Sequence, residues 1–148
     1  MEGAETTVER LHSVSEAVQG GEVVGALYTT HLDDVAREDL ITYVADFLLQ
    51  VEEIKWSVVS GIVHGDLVIS VRNLGYSRNA GEFVKRHFGD VGSAGGHRAM
   101  AKAVVPLDRF QQKFGSIAPE QIRATIHTLA EQFLEEPQAA ERRRSANR

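Results

Sequence analysis

The sequence lacks cysteine and has no long apolar run. Because none of its 148 residues is a cysteine, the chain can form neither a disulfide nor a thiolate metal site, and it has no cysteine nucleophile. No uninterrupted apolar stretch reaches the ~20 residues that a bilayer span needs. The start of the chain, Met1–Glu5, is acidic and does not follow the basic-then-apolar pattern of a secretory signal. We therefore expect a soluble, cytoplasmic protein of one domain that makes no contact with a membrane.

Positive charge is concentrated in one segment of an otherwise acidic chain. The net charge is −5, yet residues 70–102 carry six Lys and Arg against two Asp and Glu. Residues 1–69 carry three Lys and Arg against thirteen Asp and Glu. General basicity does not explain the positive segment, which is therefore a candidate site for an anion. The alternative is an ordinary solvated face with surface salt bridges.

Hydrophobic periodicity predicts alternating helices and strands. The first expected elements are a helix after a Thr6–Glu9 capping box, a buried strand over 22–30 and a helix over 35–50. A hairpin of strands over 54–64 and 67–72 follows, and then a helix over 79–87. The last elements are a strand ending at Val105 and two further helices, the second of which begins at Pro119. The hairpin requires antiparallel pairing. The predicted fold class is therefore α/β, a single domain with a mixed β-sheet and helices packed on it.

The segment Gly92–Arg98, read Gly-Ser-Ala-Gly-Gly-His-Arg, predicts a glycine-rich turn. Glycine permits positive φ and lets backbone N–H groups approach an anion, so we expect Gly96 to face a ligand. His97 adds a directed donor, and Arg72 at the end of the preceding strand adds a two-pronged one. These groups suit a phosphate or a carboxylate. The alternative is a turn that only reverses the chain.

His31, Asp33 and Asp34 lie close together in the sequence and suggest metal ligands. A two-metal phosphoesterase centre needs several carboxylates and histidines from different elements, and the sequence does not supply that set. The preferred interpretation is a loop in which Asp33 or Asp34 caps the next helix. Asp46 is interpreted as a solvent-facing or locally paired acid. His87 is expected at a helix end, where the dipole favours a partly positive ring.

The order of these motifs resembles the DHHA1 domain, the C-terminal substrate-binding domain of DHH-family phosphoesterases such as RecJ-like exonucleases and nanoRNases. The resemblance rests on Ser70-Val71-Arg72 at a strand end, a helix, Phe88-Gly89, and Ala94-Gly95-Gly96-His97 before Ala101. It covers residues 22–106. Ala94 stands where the family signature has its first glycine. The implied organisation is a linker helix over 1–21, the DHHA1-like domain over 22–136, and a disordered basic tail over 137–148.

The resemblance also implies a function. It implies that the chain binds the phosphate of a nucleotide or short oligonucleotide while an N-terminal DHH domain, expected to hold Mn²⁺, performs hydrolysis. No Asp-x-Asp or Asp-His-His motif of that catalytic domain occurs here, so this chain would bind without hydrolysing. The implied substrate-binding residues are Arg72, Ser93, Gly95, Gly96, His97 and Arg98. Two alternatives stay open: a stand-alone nucleic-acid-binding module, such as the domain that alanyl-tRNA synthetases append, and a structural assembly domain.

Overall fold

One mixed β-sheet lies between two layers of helices. The computed structural model describes residues 6–75 and 78–137, and within these ranges it has six strands and five helices. The helices are α1 (Val8–Gly20), α2 (Glu38–Leu48), α3 (Ala80–Phe88), α4 (Leu107–Phe114) and α5 (Pro119–Glu135). The strands are β1 (Glu22–Val24), β2 (Leu27–Asp34), β3 (Trp56–Val63), β4 (Asp66–Asn73), β5 (Ser93–Gly96) and β6 (Met100–Pro106). The predicted single α/β domain is confirmed.

The sheet has the strand order β1-β2-β3-β4-β6-β5. Only β2 and β3 pair in parallel, and the other neighbours are antiparallel. The predicted β3–β4 hairpin is confirmed. Its turn, His64-Gly65, has positive φ at both residues, 51° and 83°, as a two-residue turn of this hand requires. None of the described helices is long and apolar enough to cross a membrane.

Alternating strand residues divide the core into two layers. Ile69 and Ala103 belong to the face covered by α3, α4 and α5, where Trp56 also packs. Val59 and Val68 belong to the opposite face, under α1 and α2. Helix α2 packs over β3 and β4, so its cover diminishes toward β6 and β5. This uneven cover leaves one part of the sheet open to a ligand.

The strand predicted over residues 22–30 is in fact a hairpin. Gly25 has φ of 58°, which lets the chain reverse between β1 and β2. Glu22 then pairs with Thr29. The prediction of one strand was wrong because the apolar run continues through a turn that only the single glycine marks.

The loop predicted over residues 31–34 was also wrong, since β2 continues to Asp34. The parallel pairing with β3 is irregular between His31 and Asp34, and Asp33 takes a positive φ of 62° there. Helix α2 begins only after Arg37, its N-cap, which makes no side-chain capping bond. Neither aspartate therefore caps the helix. Backbone hydrogen bonds with β3 hold these residues in the strand. A local sequence pattern does not reveal such a distant partner.

The N-terminal cap lies one residue later than the capping-box prediction. Thr7 is the N-cap of α1, and its hydroxyl accepts the N–H of Arg10 at 3.1 Å. Thr6 instead contacts the hydroxyl of Tyr43 on α2, at 3.1 Å. Together with Ala17, buried against α2 and β2, this contact attaches α1 to the domain.

His87 lies where a charged ring is disfavoured. Its ring lies 5.2 Å from that of Phe83 between centroids, and its Nε2 is buried with no hydrogen-bond partner among the described residues. Burial lowers the pKa of His87, and the charges of Arg86 and Lys113 lower it further. The predicted partly positive ring is therefore wrong, because desolvation outweighs the helix dipole. Burial likewise lowers the pKa of His31.

We expect the fold to lose stability as the pH falls below about 6.5, the ordinary histidine value. Both histidines have a lowered pKa in the folded state. As the pH falls, the unfolded chain therefore binds protons first, and the free energy of unfolding becomes smaller. Urea unfolding at about pH 8 and about pH 5.5, on either side of that value, measures the loss.

His87→Phe should lose less stability than the wild type over the same interval, because the phenyl ring does not titrate. The comparison at the higher pH isolates any difference in packing, since both histidines are neutral there in the folded and unfolded chain. Identical pH dependence in the two proteins would contradict the assignment to His87.

Candidate functional site

Most of the segment predicted as a glycine-rich turn is β5, one of the two edge strands of the sheet. Ser93 pairs with Val104 of β6, and Gly96 pairs with Ala101. Only residues 97–99 form the connection between the two strands. The prediction was wrong because glycine-rich sequence usually signals a turn, whereas here β6 supplies the backbone partners that hold it extended.

The 97–99 connection closes the first turn of α3. The carbonyl groups of His97 and Arg98 each accept a backbone N–H from that turn at 3.0 Å, and the side chain of Asn79 accepts a third. Asn73, buried at the end of β4, donates to the Arg98 carbonyl at 3.1 Å. These bonds occupy N–H groups that a helix start otherwise offers to an anion. The helix terminus is therefore not the anion site.

Two adjacent glycines have opposite surroundings. Gly96 has φ of 148°, and a Cβ there would meet the carbonyl oxygen of Met100 and the Cα of Ala101, 2.5 Å away. A Cβ on Gly95 would meet nothing within 4 Å. A side chain at Gly96 would therefore point into β6 at a φ that side chains rarely adopt, and ligand binding by its backbone stays a prediction. Gly95 is the glycine that opens onto free space.

Strand register places two cations on the same side as Gly95. Residues directly opposite in antiparallel strands share a face of the sheet. Gly95 pairs with Lys102, which in turn pairs with Ser70 on β4, two residues before Arg72. Ser93 shares this face by alternation. Lys102 was not among the predicted site residues, because its place beside Gly95 follows only from the pairing of β5 with β6.

The side chain of Arg72 is held in position from within the protein. It is 9% exposed, and its Nε donates to Oδ1 of Asp46 on α2 at 2.7 Å. Its Nη1 donates to the carbonyl of Val71 at 3.1 Å. Its Nη2 makes no hydrogen bond with the described residues, which leaves a donor for a ligand. Asp46 is more than half exposed, in agreement with the expected solvent-facing acid, but the expected local pairing is wrong because its partner is distant in sequence.

Lys102 also pairs with a carboxylate of α2, but its side chain is more exposed than that of Arg72. Its Nζ donates to Oε1 of Glu38 in the first turn of α2, and about half of each side chain is accessible to solvent. Helix α2 therefore supplies one carboxylate to each of the two cations on this face of the sheet. Exposed pairs of this kind contribute little to stability and exchange partners readily. Lys102 can therefore turn toward an anion without a large cost.

His97 and Arg98 are exposed at the end of β5. The Nδ1 of His97 accepts the N–H of Ala99 at 3.3 Å, so the neutral ring carries its proton on Nε2. The Nη1 of Arg98 donates to the carbonyl of Arg78 at 3.2 Å. The backbone carbonyl groups of both residues cap α3.

Residues 6–75 and 78–137 contain no group of three or more His, Asp or Glu arranged to hold a metal ion. His31 lies 3.8 Å from Asp33 and bonds to Ser60 at 2.8 Å. Ser60 is 1% exposed, so this Ser-His-Asp arrangement is out of reach of a substrate and is structural.

Comparisons with known proteins relate the fold to the DHH family. No protein-family model matches the chain. An uncharacterized protein of Methanocaldococcus jannaschii is 31% identical in an alignment of 132 positions that covers 85% of this chain and 27% of that protein. An exopolyphosphatase-related protein from Bacteroides fragilis aligns over 87% of this chain and 36% of its own, with 12% identity and a TM-score of 0.56. RecJ from Thermus thermophilus, in complex with Mg²⁺, aligns over 88% and 18%, with 16% identity and a TM-score of 0.56.

The fold is related to that of DHH-family proteins. At these identities the likeness to the solved structures concerns the fold alone. The chain spans 27% of the length of the archaeal relative that it matches.

We expect Gly96→Ala to lower the free energy of unfolding by about 1–3 kcal/mol, because the new methyl group meets backbone atoms at a strained φ. Gly95→Ala is the matched control and should change it by no more than about 0.5 kcal/mol. Urea denaturation of the two variants measures both values. Equal losses would show that the surroundings of the two glycines do not differ as described.

Proposed function

We propose that the chain is the substrate-binding, DHHA1-type domain of a longer DHH-family phosphoesterase, and that it binds the phosphate of a nucleotide or oligonucleotide. The observation that carries the proposal is the bare strand at Gly95, which has Arg72 and Lys102 on its face of the sheet. The DHH-related fold and the greater length of the archaeal relative support it.

The proposed site supplies directed donors for a phosphate. Arg72 offers its Nη2 from a guanidinium that Asp46 already orients, so little side-chain entropy is lost on binding. Lys102 supplies a second, more mobile charge. The missing side chain at Gly95 lets the phosphate approach the strand closely. Ser93, exposed on the same face, offers a hydroxyl.

The proposed role of this chain is to bind and orient the substrate. The side chain of His97, at the end of β5, would donate from Nε2 to a ligand that extends past Gly96. Hydrolysis is assigned to a separate N-terminal DHH domain with Mn²⁺, to which this chain contributes no metal ligand. Because Asp46 and Glu38 already balance the two cations, the isolated domain should bind mononucleotides weakly.

A purely structural role for the glycine segment is the competing explanation. It accounts for Gly96, whose conformation the β5–β6 connection requires, and for the carbonyl groups that cap α3. It gives no reason for the open side of Gly95 or for the free donor of Arg72. The phosphate-binding role accounts for both features and is therefore preferred.

We expect Arg72→Met to weaken mononucleotide binding by roughly 10- to 100-fold, the loss of one charge-assisted hydrogen bond. Methionine keeps most of the apolar stem, so the fold should persist. Gly95→Val should abolish binding without unfolding, because its side chain occupies the phosphate position. NMR titration with a mononucleotide measures the affinities and locates the site.

Arg109→Gln is the matched control for charge. Arg109 is exposed on α4 and makes no ion pair with the described residues, so its loss should leave binding unchanged. Wild-type affinity in both Arg72→Met and Gly95→Val would refute the proposed site. Resonance shifts confined to residues 6–69 would refute it as well.

A further inference from the structure

Exposed apolar side chains are concentrated in the first two elements of the chain. Among the described residues, eight large apolar side chains are exposed, and five of these lie on α1 and β1. Those on α1 are Val8, Leu11 and Val18, each at least 59% exposed. The two side chains that α1 buries are small, those of Ser13 and Ala17. The helix therefore packs on the domain mainly through small residues and presents its large apolar residues to solvent.

The exposed stripe of α1 has the spacing of a helix-pairing seam. Its members are separated by three, four and three residues, and they are Val8, Leu11, Ser15 and Val18. This spacing places them on one side of the helix. In an antiparallel pair of α1 helices, Leu11 of one copy lies opposite Ser15 of the other, so a large side chain faces a small one in both central layers. A parallel pair would instead place the two Ser15 hydroxyl groups against each other, so the pattern favours the antiparallel pair.

Strand β1 has a free backbone edge. It is the edge strand on the side of the sheet away from β5, and its partner is β2. The turn after β1 has two residues, so Val24 and Leu27 form the hydrogen-bonded pair next to it. Because such pairs alternate along an antiparallel ladder, Val23 directs its N–H and carbonyl groups away from β2. The sequence of β1 is Glu-Val-Val, without the lysine or proline that often protects an edge from pairing.

One two-fold axis satisfies the helix and the strand together. Tyr28 lies opposite Val23 in the ladder, and its hydroxyl donates to the carbonyl of Ala17 on α1 at 3.1 Å. The side chain of Val23 and helix α1 therefore lie on the same face of the sheet. A two-fold axis perpendicular to the sheet at Val23 makes the β1 strands of two copies antiparallel, and the same rotation makes their α1 helices antiparallel. Both surfaces therefore fit a second copy of this chain.

The size of this contact predicts a dimer that dissociates on dilution. Helix α1 has 13 residues and is therefore about 20 Å long. Pairing along this helix alone is smaller than a standard interface, which buries about 800 Å² per partner. The edge of β1 enlarges the contact and adds main-chain hydrogen bonds between the two Val23 residues. The sum lies at the small end of the range for specific interfaces.

We propose that α1 and β1 form the interface of a symmetric dimer in which the sheets of two copies join at β1. The α1 helices pack side by side on one face of the joined sheet and bury the stripe that contains Leu11. This inference does not rest on the proposed function, because the Gly95 site lies at the opposite edge of the sheet.

Sedimentation over a roughly 100-fold range of protein concentration should show a monomer–dimer equilibrium for the wild type. Leu11→Lys should weaken the dimer by roughly tenfold or more, because the symmetry brings two unpaired ammonium groups into the seam. Val23→Pro should also weaken it, since the lost N–H is the one that faces outward. Leu74→Lys is the matched control: Leu74 is 50% exposed, against 60% for Leu11, and lies on neither element. It should leave the equilibrium unchanged.

Circular dichroism establishes that each variant is folded. A wild type that stays monomeric over the whole range would overturn the proposal. Folded Leu11→Lys with wild-type dimer affinity would overturn it as well, and the same result for Val23→Pro would refute the pairing of β1.

Cross-linking tests the antiparallel geometry. Because the chain has no cysteine, one introduced cysteine can react only with that of another copy. A short thiol-to-thiol cross-linker should join a mixture of Val8→Cys and Val18→Cys into dimers, because these positions lie opposite each other. Val8→Cys alone should link poorly, since its two copies lie about 15 Å apart along the helix axis. Leu74→Cys measures linking by random collision. Val8→Cys that links to itself as well as to Val18→Cys would overturn the antiparallel arrangement.

Discussion

The close approach of α3 to the edge strand β5 is the constraint on which the rest of the site depends. A side chain at Gly81 would meet the backbone of Gly96, and a side chain at Gly96 would meet the backbone of β6. The 97–99 connection then lies against the first turn of the helix, where its carbonyl groups accept the helix N–H groups. Since backbone fills the contact, β5 is held extended without bulky residues. A strand made of Ser-Ala-Gly-Gly would otherwise have little reason to order.

Because β5 is a glycine-rich strand at the edge of the sheet, two of its sides are accessible. One side is the face that α2 covers mainly as far as β4, where Gly95 lies with Arg72 and Lys102. The other is a groove between β5 and α3. Two adjacent glycines therefore have different structural roles. Gly96 shapes the backbone, and Gly95 leaves space.

The sequence predicted the features that depend on local periodicity and missed those that depend on pairing between strands. The β3–β4 hairpin, the last helix after Pro119 and the core role of Trp56 follow from local patterns, and the structure has all three. The extension of β2 to Asp34 depends on β3, which lies more than twenty residues away. Lys102 was missed for the same reason, since only its register with Gly95 places it at the site. Short-range patterns contain no information about such partners.

The pairing of Arg72 with Asp46 decides what kind of site this face can be. A buried guanidinium without a partner would be costly, so the carboxylate is needed for the fold whether or not a ligand is present. Asp46 is more than half exposed, and its charge is partly screened by water. The pair therefore orients the free Nη2 without fully cancelling the attraction for a phosphate. A ligand then adds a second anion to a partly satisfied cation, and strong binding requires contacts beyond Arg72. Those contacts must come from further along the ligand or from another domain that closes over it.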